Sequence, residues 1–188
     1  PLERANGIQT METCYALAER GHHVHLVVRP DTHAPPRDPF EYYGLPTQER
    51  LIVEHAPMTG TGLPSLPGSR LAAVAKRIGY LAFAAGRAMG STGRTDVVIT
   101  RDATVAWLLL HLPSRPPLVY ESHGYGPDVA AALPSMLSTA KPPRAAKLAR
   151  LAKREALIWS KAEGYITITS GLADELTRRF GARDRLAV

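Results

Sequence analysis

The sequence predicts an α/β fold in which a doubly wound, mostly parallel Rossmann-like sheet carries helices on both faces. Short apolar runs alternate with amphipathic helical stretches along the chain, and this alternation is typical of β–α–β units. Glycines and polar side chains follow several of the runs, at the positions where such sheets bind ligands. With 188 residues and 45% apolar side chains, the chain is expected to form a single domain over residues 1–188.

The first part of the chain is predicted to contain one helix and two strands. An apolar stripe of helical period extends from Ile8 to Ala18, and Gly21 suits the C-cap of that helix. Because the chain enters this helix directly from a loop, we expect the first strand of the domain to be missing. The segments around the helix are predicted as a loop over residues 1–7, a strand over 23–28, a loop over 29–46 and a strand over 51–55.

The second part of the chain is predicted to hold the remaining strands. The run from Val97 to Ile99 is continuously apolar, which is typical of a strand buried on both faces. Two prolines precede the central strand, Leu118 to Tyr120, which is short and apolar. The other segments are predicted as an irregular stretch over 58–68, a helix over 69–89, a strand over 96–100, a helix over 103–112, a loosely structured stretch over 130–143, a helix over 144–163, a strand over 165–169, a helix from the N-cap Ser170 to Phe180, and the start of a strand over 186–188.

Chemically active side chains collect directly after the central strand. Glu121, Ser122 and His123 follow one another, and Gly124 and Gly126 let the backbone turn or lie close to a ligand. Histidine changes its charge near neutral pH, so His123 is a candidate for orienting a substrate hydroxyl or sharing its proton. The alternative is a loop histidine that only bonds Glu121 or a carbonyl. Glu121 is a candidate ligand contact or a structural acceptor, and direct catalysis by it is disfavoured.

Three further candidate positions lie at the ends of elements. Asn6 and Gly7, before the first helix, suit an ordinary turn, but they can also leave backbone N–H groups free for a phosphate. Arg101 and Asp102 follow the strand over 96–100. They can pair with each other, cap the next helix or hold an anionic or polyol ligand. Ser170 begins a helix with acidic residues in its first turn and is both a capping and a ligand-binding candidate.

The charge of the chain favours an anionic partner. Lys and Arg number 23 against 17 Asp and Glu, which gives a net charge of +6 and a pI near 9.7. The basic residues form either a solvated helix face or a surface for anionic lipid headgroups. Nucleic acid is disfavoured, because aromatic residues are only 6% of the chain and none interleaves with the basic run. The residues concerned are Arg70, Lys76, Arg77, Arg87, Lys141, Arg144, Lys147, Arg150, Lys153 and Arg154.

The histidines near the first strand do not predict a metal site. Successive strand residues point to opposite faces, so among His22, His23 and His25 only the last two can share a face. No carboxylate or cysteine follows them at ligand spacing. We expect neither a metal nor a cofactor.

The sequence also indicates the compartment. Cys14 is the single cysteine, which excludes an internal disulfide. No apolar run approaches the roughly 20 residues that span a bilayer, and the N-terminus lacks a secretory pattern. We expect a cytoplasmic protein whose only membrane contact would be peripheral, on the inner face.

Four phrases, in this order and spacing, carry a resemblance to a known family. The first is Leu17-Ala18-Glu19-Arg20-Gly21-His22-His23-Val24, which ends the first helix. The others are Asp96-Val97-Val98-Ile99-Thr100-Arg101, Val119-Tyr120-Glu121-Ser122-His123 and Tyr165-Ile166-Thr167-Ile168-Thr169-Ser170. Together they resemble the N-terminal, acceptor-side half of a family 4 glycosyltransferase of the GT-B fold, and the resemblance covers essentially the whole chain.

The resemblance implies a retaining, hexosyltransferase-like transfer of a sugar from a nucleotide-sugar donor to a glycan, lipid or small-molecule acceptor. In such enzymes the loop matching Asn6-Gly7 approaches the donor's diphosphate, and the histidine matching His123 lies beside the reacting sugar. This half holds the acceptor, so we expect the donor-binding half, with its pair of glutamates, to lie outside the chain and the chain alone to be inactive. A Rossmann-like module that only binds an anionic ligand or a membrane surface is the alternative.

Overall fold

A computed structural model describes residues 5–31, 33, 35–57, 70–90, 95–137 and 141–188. The irregular segment expected over 58–68 lies outside these residues. All strand pairs in the described part of the chain are parallel, and helices alternate with the strands. The predicted class, α/β with a parallel Rossmann-like arrangement, is confirmed.

The described elements, in chain order, are α1 (Ala5–Glu19), β1 (Val24–Val28), α2 (Pro39–Tyr43), β2 (Leu51–His55), α3 (Arg70–Gly90), β3 (Val98–Thr100), α4 (Ala103–Leu109), β4 (Leu118–Ser122), α5 (Gly126–Met136), α6 (Ala145–Lys161), β5 (Gly164–Thr167), α7 (Ser170–Phe180) and β6 (Leu186–Ala187). They fall into two compact units, Pro1–Ala84 and Ala85–Val188. In the first unit β1 pairs with β2, and in the second the strand order is β3-β4-β5-β6.

The core of the first unit lies between α1 and the β1-β2 pair. Met11 and Ala18, from the predicted apolar stripe, are buried together with Leu51 of β2. Ile8, at the start of the stripe, is 48% exposed. Gly21 ends α1 with a φ of +95°, a conformation that favours glycine, as its predicted capping role requires.

Residues Asn6 and Gly7 do not form the predicted loop, because α1 already begins at Ala5. The first turn of a helix has no intrahelical partners for its N–H groups, so residues with weak helix propensity are tolerated there. The hydroxyl of Thr10 also donates to the Asn6 carbonyl at 2.7 Å and supports this turn. The loop interpretation of this dipeptide was therefore wrong.

The segment predicted as a loop over 29–46 contains the short helix α2. Asp38 caps it by accepting a hydrogen bond from the Phe40 N–H at 2.7 Å. Pro39 occupies the start of the helix, and Gly44 ends it with a φ of +67°. Proline at the beginning and glycine just past the end are the ordinary boundary signals of a helix, and here they mark a helix rather than an irregular loop.

In the second unit, helices cover one face of the sheet. The register places Tyr120 of β4 opposite Tyr165 of β5, and both side chains are buried. This face packs against α4 and α6, whose buried residues include Ala106 and Ile158. Ile99 belongs to the other face and is 49% exposed, so the expectation that the 97–99 run is buried on both faces was wrong.

Two boundaries in this unit differ from the prediction. A regular helix, α5, occupies much of the stretch expected to be loosely structured over 130–143. Its start at Gly126-Pro127 fits the preference for proline in the first turn. The N-cap of α7 is Thr169 rather than Ser170, because Thr169 has the extended backbone and its hydroxyl accepts from the Leu172 N–H at 3.2 Å.

Candidate functional site

Three of the predicted residues meet at the carboxyl ends of two neighbouring strands, β3 and β4. Arg101 follows β3, Glu121 is the next-to-last residue of β4, and His123 comes directly after β4. Arg101 Nη2 donates a hydrogen bond to Glu121 Oε1 at 2.7 Å, and His123 Nε2 lies 3.0 Å from the same oxygen. The structure therefore brings the guanidinium, the carboxylate and the imidazole into one cluster.

Exposure differs among the three members of this cluster. The Glu121 side chain is only 13% exposed and that of Arg101 19%, whereas that of His123 is 38% exposed. A carboxylate can only accept hydrogen bonds, so the proton between Glu121 and His123 lies on Nε2. In the neutral ring Nδ1 is then an acceptor. The cluster thus holds an accessible histidine in one tautomer, with a shielded ion pair behind it.

Asp102, next to Arg101, has a structural task. Its Oδ1 accepts from the Thr104 N–H at 2.7 Å and from the Val105 N–H at 3.3 Å, which makes it the N-cap of α4. This is the capping alternative considered for this residue. The cap fixes the start of α4 and, with it, the chain that carries Arg101 out of β3.

The turn after His123 depends on Gly124. Its φ is +156°, and a Cβ added there would lie 2.8 Å from Val129 Cγ2. The Ser122 hydroxyl donates to the Gly124 carbonyl at 3.3 Å and braces the turn from within. A side chain at this position would meet both a backbone and a packing penalty, so glycine is required for the turn itself.

A buried acid lies against the start of α5, and it was not predicted from the sequence. Glu155 of α6 is 2% exposed, accepts from the Tyr165 hydroxyl at 2.6 Å and accepts from the backbone N–H of Gly126. Burial raises the pKa of Glu155, and these hydrogen bonds oppose that rise. Burial, followed by the nearby carboxylate, also raises the pKa of both Tyr165 and Tyr120. The spacing along the sequence could have indicated its burial. Glu155 precedes the buried Ile158 and Trp159 by three and four residues, so it lies on the same face of α6.

The other predicted residues lie elsewhere. Asn6 and Gly7 belong to α1 in the first unit, and Ser170 is exposed in the first turn of α7. His25 pairs with Glu54 of the neighbouring strand at 2.8 Å. Within the described ranges, no three His, Cys, Asp or Glu side chains come together as metal ligands. None of the helices described there is both long and apolar enough to cross a membrane.

Comparison with known proteins agrees with the predicted fold class. The family model of the glycosyl transferase 4-like domain matches residues 7–188. No match was found among curated proteins. The family match covers nearly the whole chain, both compact units included. The chain therefore belongs to the glycosyl transferase 4-like domain family.

Proposed function

We propose that this chain is the acceptor-side domain of a retaining glycosyltransferase. The enzyme would move a sugar, in a hexosyltransferase-like reaction, from a nucleotide-sugar donor to a glycan, lipid or small-molecule acceptor. The observation that carries the proposal is the placement of His123, accessible and held by Glu121 at the carboxyl end of β4. Ligands of parallel α/β sheets bind at this edge.

The chemistry assigns a task to each member of the cluster. Sugar transfer forms a bond from an acceptor oxygen to the anomeric carbon and breaks the bond to the nucleoside diphosphate, which departs with the bonding electron pair and takes up the acceptor's hydroxyl proton. His123 would orient that hydroxyl through its free ring nitrogen. Glu121 and Arg101 would keep the ring in place, since both bonds converge on Glu121 Oε1. The nucleotide sugar enters as a substrate, and we propose no metal or cofactor in this step.

The division of labour can be tested by calorimetry. We propose that the nucleotide of the donor is bound mainly by residues outside this chain. Titration of a panel of nucleotide sugars into the chain should therefore give dissociation constants weaker than about 1 mM. Saturable micromolar binding of one donor would show that the donor site lies within residues 1–188 and that the acceptor-side assignment is wrong.

A peripheral membrane contact in the cytoplasm is the second candidate, either for the enzyme or for a non-catalytic binding module. Three exposed apolar side chains lie on α5, with Met136 at 75%, the exposed Leu137 directly follows the helix, and exposed basic residues come after it along the chain. Arg154 was predicted to belong to this basic surface. It is not part of it, because it donates to Thr104 Oγ1 at 2.9 Å. The surface comprises Val129, Leu133, Met136, Leu137, Lys141, Arg144, Lys147, Arg150 and Lys153.

This contact predicts salt-sensitive adhesion to anionic vesicles. Each basic residue near such a surface contributes on the order of 1 kcal/mol, so Lys147→Ala/Arg150→Ala should weaken binding by roughly tenfold or more. The control Lys161→Ala/Arg178→Ala removes the same charge outside the surface and should bind nearly as the wild type does. Sedimentation with neutral and anionic vesicles at low and high salt measures the effect. Equal losses in the two double variants would mean that net charge, and not this surface, drives adhesion.

A further inference from the structure

The Glu155 carboxylate is almost completely buried, at 2% exposed, which is unusual for a charged group. Removing a carboxylate from water is costly unless hydrogen bonds satisfy its oxygens. Here Oε1 accepts from the Tyr165 hydroxyl at 2.6 Å, and the Gly126 N–H also donates to the carboxylate. A Cβ added to Gly126 would lie 3.2 Å from Oε2. The carboxylate thus lies directly against the backbone where α5 begins.

That backbone is the far end of the turn that carries His123. The turn leaves β4 at Ser122 and enters α5 at Gly126. Between them, the ring of Tyr125 is buried, with the Arg179 guanidinium 4.2 Å from its centroid and the Phe180 ring at 6.0 Å. The turn is therefore fixed at each end and in the middle, and Glu155 supplies the contact closest to α5.

We infer that Glu155 is a positioning residue, whose buried carboxylate holds the Gly126 backbone and thereby keeps the His123 imidazole against Glu121. A carboxylate suits this task because it offers acceptors to both donors at once. A glutamine has a single acceptor oxygen, so its NH2 group would face either the Gly126 N–H or the Tyr165 hydroxyl. Only the consequence for turnover rests on the proposed function, because the geometry of His123 can be measured without it.

Two substitutions disturb this contact from opposite sides. Glu155→Gln changes the acceptor, and Gly126→Ala inserts a methyl group against it. Two controls leave it in place: Tyr165→Phe removes only the other donor, and Gly171→Ala adds a methyl group in a helix where nothing lies within 4 Å. All four variants are to be compared in the same protein, with the thermal midpoint recorded for each.

The deciding measurement is the imidazole nitrogen spectrum of His123 by long-range ¹⁵N–¹H NMR. In the wild type and both controls we expect the signature of the Nε2–H tautomer bonded to a carboxylate. In Glu155→Gln and Gly126→Ala we expect shifts that move toward those of a mobile ring, and roughly tenfold faster hydrogen exchange at Gly126. Unchanged His123 shifts in both contact variants, with only the midpoint lowered, would reduce Glu155 to a scaffold residue and overturn the inference.

Turnover in the same variants separates this inference from the proposed function. If the His123 shifts move and sugar transfer falls with them, the inference and the proposed function are both supported. If the shifts move while transfer is unaffected, Glu155 still positions His123, but the part assigned to His123 in the reaction is wrong.

Discussion

In the full-length enzyme, replacing His123 with alanine is expected to lower the turnover of sugar transfer by roughly 100-fold to 10,000-fold, the usual contribution of an acid-base or orienting group. Stability should change by less than about 1 kcal/mol. The side chain is 38% exposed and its ring bonds Glu121 at the surface end of a strand. Its removal therefore leaves little cavity, and the Arg101–Glu121 pair remains behind it. Initial rates and thermal unfolding of the same preparation measure the two effects.

The chain offers a close control for this experiment. His25 makes the same kind of contact, with Nε2 2.8 Å from Glu54 Oε2, and its side chain is 39% exposed. His25→Ala should therefore leave turnover near the wild-type value and show what the loss of an exposed His–Glu pair does to stability. A sharp fall in the midpoint of His123→Ala, with near-normal turnover by the folded fraction, would identify His123 as a scaffold residue.

Trp159→Ala is expected to have the largest effect on stability, a loss of about 3 to 5 kcal/mol. Trp159 is 4% exposed, and its ring centroid lies 4.9 Å from that of Tyr165 and 6.1 Å from that of Phe180. Its indole N–H donates to the Gly181 carbonyl at 3.2 Å. The substitution would open a cavity between α6, α7 and β5 and leave that carbonyl without its partner.

Trp107 on α4 is the matched control, since it is 38% exposed and its ring lies tilted against that of His111, with the centroids 4.4 Å apart. Its contact with the Arg154 guanidinium at 5.6 Å is worth about 1 kcal/mol or less, so Trp107→Ala should be mild. Urea unfolding of both variants gives the two free energies. Similar losses for Trp107 and Trp159 would show that the second unit does not depend on the Trp159 contacts.

The sequence was sufficient where local pattern and sheet geometry agree. The strand β2 has the predicted bounds, Leu51–His55, and Arg101 and Glu121 were both expected at strand ends. Their contact was not predicted, because it depends on β3 and β4 being neighbours in the sheet. The tautomer and exposure of His123 required the structure, because both depend on the Glu121 carboxylate and on packing around it.

The N-cap of α7 and the role of Glu155 were not predicted correctly, because they depend on backbone geometry and on a backbone partner. At Thr169-Ser170 two adjacent hydroxyl residues compete for one cap, and only the backbone angles of Thr169, −150° and 151°, decide between them. Glu155 was not singled out from the sequence. Its partner at Gly126 is a backbone N–H. Every residue except proline has this group, so the sequence does not indicate the contact, and only the fold brings the two together.

The central claim, that this chain serves sugar transfer, is tested most directly by a product assay. The full protein is incubated with a mixture of nucleotide sugars and an acceptor extract, and the acceptors are followed by mass spectrometry, with His25→Ala and His123→Ala in parallel. We predict acceptors heavier by one sugar residue with the wild type and His25→Ala, and a loss of that product with His123→Ala. Binding to anionic vesicles by a folded protein that consumes no nucleotide sugar would contradict this account and support a binding module instead.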